Sequence, residues 1–239
     1  MSLEEVKARL ARAALLLDFD GTLSPIVVRS EEAMPVAGAE EVLAGLVDRA
    51  GNVTIVTGRR SGFIRSVLRV QGLDVIGQFG MEDSPALPRE VLVEVNAVVA
   101  GESGVRVVDK SASIAVHVRT TPDPDAATAR IEGPLTAIAE QHGLEVLPGK
   151  RVLELVPKGS SKGTVVEEVV ARTGAEAALY AGDDLNDVPA FEALEVLAKG
   201  GMPISRVAVV GEETPEELVE NADLTVAGPE ELVALLREL

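Results

Sequence analysis

The stretch Asp-Phe-Asp-Gly-Thr-Leu at residues 18–23 places two carboxylates directly after the apolar run Ala13–Leu17, which is typical of a buried strand. In an extended segment, residues i and i+2 face the same way about 7 Å apart, so Asp18 and Asp20 can act on one ligand. One carboxylate could attack a phosphorus centre while the other handles the proton of the leaving group. An Asp-Gly turn that only closes the strand is the alternative. An EF-hand loop is excluded because the Gly and Glu that it requires are missing.

A second acidic cluster, Gly-Asp-Asp-Leu-Asn-Asp at residues 182–187, follows the apolar run Ala177–Ala181. The carboxylates of Asp183, Asp184 and Asp187 repel one another unless a cation lies among them. At about 4 Å a unit pair costs about 4 kcal/mol at an effective dielectric near 20. Oxygen ligands favour Mg²⁺, so we predict a magnesium site here. The alternative is a solvated acidic loop in which Asp187 caps the following helix.

Two further residues complete a phosphate-binding pattern. Thr57 follows the apolar run Val53–Val56, and Lys162 begins a helical pattern. A hydroxyl at a strand end and an ammonium at a helix start could both bind phosphoryl oxygens. Taken singly, each residue has a simpler interpretation, as a turn residue and a surface charge. Gly58 and Arg59, directly after Thr57, are predicted to contact the substrate.

The elements that must position these residues alternate along the chain as short apolar runs and amphipathic stretches. This alternation is typical of a parallel sheet covered by helices. Polar residues cluster where several strands end, and ligands of open α/β sheets bind at that edge. The predicted strands are Ala13–Leu17, Val53–Val56, Leu73–Ile76, Ala177–Ala181 and Val207–Val210, and the predicted helices are Ala39–Asp48, Ser61–Val70, Lys162–Arg172 and Pro229–Leu239.

The middle of the chain follows a different pattern, in which apolar and polar residues alternate. Ile114, Val116 and Val118 share one face of a predicted strand, which indicates a sheet with one solvated face. We predict strands at 105–108, 113–119 and 152–156, and a helix near Asp125–Gln141. The fold class is therefore predicted as α/β, with a Rossmann-like parallel-sheet core at residues 1–83 and 158–239. An inserted, smaller α+β cap domain is predicted at residues 84–157.

The composition excludes several classes of function. The 239 residues contain no Cys, and 22 basic against 39 acidic side chains give a net charge of −17. Such an acidic excess argues against nucleic acid or an anionic membrane as a partner. The lack of Cys excludes disulfides and thiolate nucleophiles. The opening residues do not resemble a signal peptide, and no apolar run reaches membrane-spanning length. We expect a cytoplasmic, monomeric protein that acts on a small molecule.

Residues 18–23, Thr57, Lys162 and residues 182–187 together resemble the four motifs of the haloacid dehalogenase superfamily of phosphatases. The resemblance implies that Asp18 is the nucleophile and Asp20 the general acid and base. It also implies that Thr57 and Lys162 hold the transferring oxygens. Since more than a hundred residues separate Thr57 from Lys162, the cap is expected between them.

The same resemblance implies Mg²⁺ as the cofactor. Asp18, the carbonyl of Asp20 and Asp183 would hold the ion. Asp184 or Asp187 would act through water or by orienting Lys162. These residues are the predicted metal site.

A finer resemblance is to the trehalose 6-phosphate phosphatases. This resemblance is carried by residues 77–82, 109–119 and 148–155, together with Lys162 and the acidic cluster 182–187. Two residues depart from the family pattern: Phe79 stands where that family usually has His, and Asn186 where Thr is common. The resemblance implies a phosphorylated sugar as substrate, with trehalose 6-phosphate preferred. The alternatives are another sugar phosphate or glycosyl-phosphoglycerate, as in sucrose-phosphate or mannosyl-phosphoglycerate phosphatases, and a catalytically silent sugar-phosphate sensor.

Recognition of the sugar should depend on hydrogen bonds because only 2% of the residues are aromatic. The candidates in the predicted cap are Lys110, His117, Arg119 and Glu154. Asn186 is a further candidate, for contact with phosphate. A solvated sheet face, on which charged residues are expected in any case, is the alternative interpretation for the four cap residues.

Overall fold

The computed structural model describes residues 3–239, which form two compact units. One unit combines the residues up to Gly80 with Ser161–Leu239, and the other is Met81–Ser160. The strands are β1 (Ala13–Leu17), β2 (Asn52–Val56), β3 (Asp74–Ile76), β4 (Arg106–Asp109), β5 (Ile114–His117), β6 (Leu144–Gly149), β7 (Val152–Pro157), β8 (Ala177–Gly182), β9 (Ile204–Val210) and β10 (Leu224–Ala227). The α-helices are α1 (Leu3–Lys7), α2 (Ala39–Val47), α3 (Ser61–Val67), α4 (Arg89–Val99), α5 (Pro124–Gln141), α6 (Lys162–Thr173), α7 (Val188–Lys199), α8 (Glu216–Glu220) and α9 (Gly228–Arg237).

The first unit contains a parallel sheet in the strand order β10-β9-β8-β1-β2-β3. Alternate residues of β1 point to opposite faces, and both faces are covered. Leu15 and Leu17 pack into the apolar cluster formed with α2, α3 and α9, whereas Leu16 packs with α6, α7 and α8. Burial on both faces explains why the central strands are continuously apolar. The predicted α/β class with a helix-covered parallel sheet is confirmed.

The second unit contains an antiparallel sheet in the order β4-β5-β7-β6. Ile114, Val116 and Val118 are buried in one apolar cluster with residues of α4 and α5, as the predicted alternation requires. This unit is bounded three residues outside the limits 84 and 157 given by the sequence, at Met81 and Ser160. That it serves as a substrate-recognition cap remains a prediction.

The elements that sequence reasoning missed have weak or mixed patterns. The strand β10 is a mostly exposed edge strand of four residues, so it needs no apolar run. Val91, Val95 and Val99 of α4 repeat every four residues, but the intervening Leu92, Val93 and Val98 obscure the helical period. The helix α3 ends at Val67 and not at Val70.

No helix within residues 3–239 is both long and apolar enough to cross a membrane. The monomeric state and the cytoplasmic location remain predictions.

Candidate active site

The predicted catalytic residues lie at the carboxyl ends of neighbouring strands. Asp18 follows β1, Thr57 follows β2 and Asp183 follows β8, and β1 lies between the other two strands in the sheet. Lys162 is the first residue of α6, a helix that Ser161 caps by accepting a 3.1 Å hydrogen bond from the Thr164 amide. The parallel direction of the strands therefore brings Asp18, Thr57 and Asp183 to one edge, and Lys162 reaches that edge through its contact with Asp18.

Lys162 is buried between two carboxylates. Its ammonium Nζ lies 2.7 Å from an oxygen of Asp18 and 2.7 Å from Oδ1 of Asp187. Burial by itself would lower the pKa of Lys162, but the charges of Asp18 and Asp187 outweigh burial and raise that pKa above its ordinary value. The lysine is thus a permanent positive charge at the strand edge.

Asp187 is held by four hydrogen-bond donors. Its Oδ1 accepts from Lys162 and from the hydroxyl of Tyr180, each at 2.7 Å. Its Oδ2 accepts from the backbone amides of Asp183 at 2.9 Å and Asp184 at 3.0 Å. The alternative in which Asp187 caps α7 is wrong, since its side chain makes no capping bond to that helix. Asp184 instead caps the short turn that follows it, accepting from the amide of Leu185.

Three buried carboxylates form a group that fits a cation. Oxygens of Asp18, Asp183 and Asp187 all lie within 4.8 Å of one another. Burial raises the pKa of Asp18 well above its ordinary value; Lys162 opposes this shift, and the neighbouring Asp187 and Asp183 reinforce it. One ammonium among three carboxylates leaves negative charge that a bound cation would neutralise. An all-oxygen donor set is the kind that Mg²⁺ prefers.

Asp20 lies outside this group, and its carboxylate pairs with Arg59. Arg59 Nε lies 2.6 Å from Asp20 Oδ2, and Nη2 lies 2.6 Å from Oδ1. The contact therefore uses both carboxylate oxygens in the two-pronged geometry that guanidinium favours. Arg59, predicted from the sequence as a substrate contact, is engaged within the protein.

Thr57 is buried beside a tightly turned segment. Its Oγ1 accepts a 3.1 Å hydrogen bond from the Arg59 amide, and its carbonyl accepts one from the Phe79 amide. Phe79 has a left-handed backbone with φ of 53°, and its ring lies against Gly58. A Cβ on Gly58 would lie 2.7 Å from the tip of that ring. Because Gly58 has no side chain, the Phe79 ring can pack closely on the backbone next to Thr57.

Sequence reasoning missed several residues on which this geometry depends. Tyr180, the only tyrosine of the chain, is fully buried and supports Asp187. Gly182 and Gly21 leave space for carboxylates, because an added Cβ would overlap Asp187 in the first case and Asp183 in the second. Both glycines lie within the acidic motifs 18–23 and 182–187, which was the available signal.

In the second unit the structure brings together two of the four candidate sugar-binding residues. The buried Glu154 accepts from Lys110 Nζ at 2.8 Å through each oxygen, and from Ser113 Oγ at 2.6 Å. His117 ends β5, and Arg119 lies beyond it, where Nη2 donates to a backbone carbonyl at 3.2 Å. Since Glu154 is buried and paired, a merely solvated sheet face does not describe this cluster.

Asn186, the remaining candidate, is half-buried in the short turn Leu185–Asp187 of the first unit. It therefore belongs to the same strand-end segment as Asp183.

The sequence of this chain is similar to those of several known proteins. Residues 16–223 match the model of the trehalose-phosphatase family. A trehalose-phosphate phosphatase of Mycobacterium avium is 31% identical over 212 residues, which cover 80% of this chain and 54% of that protein. A Mycobacterium tuberculosis protein named as an uncharacterised glycosyl hydrolase is 32% identical over 212 residues, 79% of this chain and 16% of its own length. This chain thus spans about half or less of these relatives.

A solved structure has the same fold over nearly the whole chain. The C-terminal domain of trehalose-6-phosphate phosphatase from Candida albicans superimposes with a TM-score of 0.80 at 21% identity, covering 98% of this chain and 95% of that domain. At this identity the likeness concerns the fold alone. The family match, by contrast, spans most of the chain and includes every motif at the strand edge. The chain belongs to the trehalose-phosphatase family.

Proposed function

We propose that this chain is a Mg²⁺-dependent phosphatase that hydrolyses trehalose 6-phosphate to trehalose and phosphate. The observation that carries the proposal is the buried Lys162, which lies between Asp18 and Asp187 with Asp183 in the same carboxylate group. A nucleophilic carboxylate, a fixed cation and a metal-binding group at one strand edge are what phosphoryl transfer to a carboxylate requires.

The metal would be held by Asp18, Asp183 and the backbone carbonyl of Asp20. Asp187 already accepts four hydrogen bonds, so we assign it to the orientation of Lys162. When bound, the ion would neutralise negative charge shared between the nucleophile and an anionic substrate.

The chain's own residues would perform two displacements. In the first, Asp18 attacks phosphorus, the bond from phosphorus to the sugar oxygen breaks, and Asp20 donates a proton to that oxygen. In the second, Asp20 takes a proton from water while the water oxygen attacks the aspartyl-phosphate, which returns Asp18 and releases phosphate. Lys162 would bind the transferring oxygens throughout. The hydroxyl of Thr57, which accepts from a backbone amide, would donate its proton to one of them.

The choice of trehalose 6-phosphate rests on the family and on relatives named as trehalose-phosphate phosphatases. Lys110, His117, Arg119 and Glu154 are our candidates for contact with the sugar. The second unit contains no Phe, Tyr or Trp, so it would bind a disaccharide through hydrogen bonds and charge and not through ring stacking.

The test is a panel of phosphate esters assayed with Mg²⁺. We expect kcat/KM for trehalose 6-phosphate to exceed that for glucose 6-phosphate at least about tenfold, since a disaccharide offers more contacts. Asp18→Asn should abolish turnover of every ester, whereas Asp48→Asn, an exposed aspartate at the end of α2, should retain it.

Each other outcome corrects a different part of the proposal. Equal turnover of glucose 6-phosphate would refute the substrate, and a higher rate with sucrose phosphate or a glycosyl-phosphoglycerate would identify the alternative. Binding without turnover of any ester would indicate a sensor. Full activity in excess chelator would refute the metal.

A further inference from the structure

We infer that Arg59 is a positioning residue for the acid–base group Asp20 and does not bind substrate. The inference rests on the proposed function and deepens it, because it assigns the residue that directs proton transfer to the leaving group. The sequence instead predicts Arg59 as a substrate contact.

The contact between the two side chains fixes the carboxylate in direction as well as in distance. Arg59 Nε and Nη2 each lie 2.6 Å from a different oxygen of Asp20. Two parallel hydrogen bonds hold a carboxylate in the plane of the guanidinium, which a single bond does not. Rotation of Asp20 about its terminal bond would break both.

The guanidinium is itself held on two further sides. Its Nη1 donates to the backbone carbonyl of Ser30 at 2.6 Å. Its central carbon lies 4.4 Å from the ring centroid of Phe63 and 5.9 Å from that of Phe19, and these rings meet edge to face at 6.3 Å. A cation over an aromatic face is attracted by the ring quadrupole. With all three of its nitrogen groups engaged, Arg59 is a rigid support and not a mobile ligand.

Asp20 needs such a support because it is more exposed than the three buried carboxylates Asp18, Asp183 and Asp187. About 33% of its side chain is accessible, compared with 6% for Asp18 and 0% for Asp187. An exposed aspartate samples several side-chain rotamers, and only the one that faces the leaving oxygen can transfer a proton. Arg59 holds Asp20 in one rotamer, and we assign proton transfer to that rotamer.

This role predicts that the cost of losing Arg59 depends on the leaving group. A basic leaving group needs a proton as it departs, whereas a weakly basic one leaves as a stable anion. Aryl phosphates from 2,4-dinitrophenyl through 4-nitrophenyl to phenyl differ mainly in this basicity, and none carries a sugar. In Arg59→Gln we expect kcat/KM to fall about tenfold or more for phenyl phosphate and less than about threefold for 2,4-dinitrophenyl phosphate.

Two controls separate positioning from charge and from folding. Arg60→Gln removes the same charge from the adjacent, exposed arginine and should leave the leaving-group dependence unchanged. Arg59→Lys keeps the charge but loses the two-pronged contact, so it should show the steeper dependence even if Arg59→Gln unfolds. Thermal unfolding of each variant reports whether it is folded at the assay temperature.

The decisive measurement is a double-mutant cycle with Asp20→Asn. If Arg59 acts through Asp20, Asp20→Asn/Arg59→Gln should be no more sensitive to the leaving group than Asp20→Asn alone. Additive effects would overturn the inference, as would an equal loss of activity for all aryl phosphates in Arg59→Gln. A loss confined to trehalose 6-phosphate would mean that Arg59 binds the sugar. Failure of the proposed function is distinguishable, because it appears in the wild-type panel.

Discussion

At the scale of single residues, the site is a network in which each buried charge has specific partners. Lys162 has Asp18 and Asp187, and Asp187 in turn has Tyr180 and two backbone amides. Burial, together with the nearby carboxylates, raises the pKa of Tyr180 well above its ordinary value, so its hydroxyl stays protonated and donates. Hydrogen bonds to charged groups contribute about 1.5–3 kcal/mol each, so the loss of one donor should be measurable.

We therefore expect Tyr180→Phe to lower the free energy of unfolding by about 1–3 kcal/mol and to lower kcat, because Asp187 then holds Lys162 less firmly. Urea unfolding followed by far-ultraviolet circular dichroism measures the first effect, and steady-state kinetics the second. Thr54→Val is the matched control, because it removes another buried hydroxyl, which donates at 2.6 Å to Asn52 at the first residue of β2. Unchanged kcat in Tyr180→Phe, or an equal fall in both variants, would argue against the network.

At the scale of elements, the site carboxylates can pack against the backbone at the strand ends because glycines stand at the points of contact. Gly182 ends β8 and is the first residue of the acidic cluster 182–187, and Gly21 follows Asp20 with φ of +80°. Each leaves room for a carboxylate from another part of the site. The aromatic residues support the same edge: Phe19 and Phe63 lie beneath Arg59, Phe79 packs on Gly58, and Tyr180 meets Phe191 edge to face.

The strand-end geometry makes Gly182→Ala a severe change for the site. The new methyl group would overlap the Asp187 carboxylate, so we expect kcat to fall at least about 100-fold and the melting temperature to drop. Gly45→Ala is the control, since nothing lies within 4 Å of a Cβ at that position in α2. It should stabilise the protein by about 0.5–1 kcal/mol through helix propensity. Normal kcat in Gly182→Ala would show that Asp187 can move without consequence.

At the scale of the whole molecule, the net charge of −17 opposes an anionic substrate. The general field of the protein repels a phosphate ester, and only local groups such as Lys162 attract it. Long-range repulsion is screened by salt, whereas contacts within a buried site are screened much less.

From this charge we expect kcat/KM for 4-nitrophenyl phosphate to rise about twofold or more between about 10 and 150 mM NaCl, because the Debye length shortens from about 30 to 8 Å. The Mg²⁺ concentration is held constant, and choline chloride serves as a control for specific effects of Na⁺. The value of kcat should stay nearly unchanged, since the effect concerns encounter. A fall in kcat/KM over this range would mean that local attraction governs association.

The sequence by itself determined five of the six strands of the central sheet, all but the edge strand β10, and the motifs that follow β1, β2 and β8. Ala13–Leu17 is both the predicted and the observed first strand, and α6 begins at Lys162 in both. These features are local, because burial on both faces requires a continuous apolar run and a ligand edge requires polar residues directly after it. Local patterns of this kind were also sufficient to indicate the family.

Only the tertiary structure decided which partner each charged group has. Asp20 and Arg59 are 39 positions apart, and Lys162 and Asp187 are 25 apart. Neither spacing corresponds to a period of a helix or a strand. The same holds for Gly21, whose missing side chain matters only because Asp183 approaches it from another strand. Such contacts depend on strand order and on the direction of each turn, which no short segment of sequence encodes, because hydrophobic periodicity specifies which face is buried and not what lies opposite.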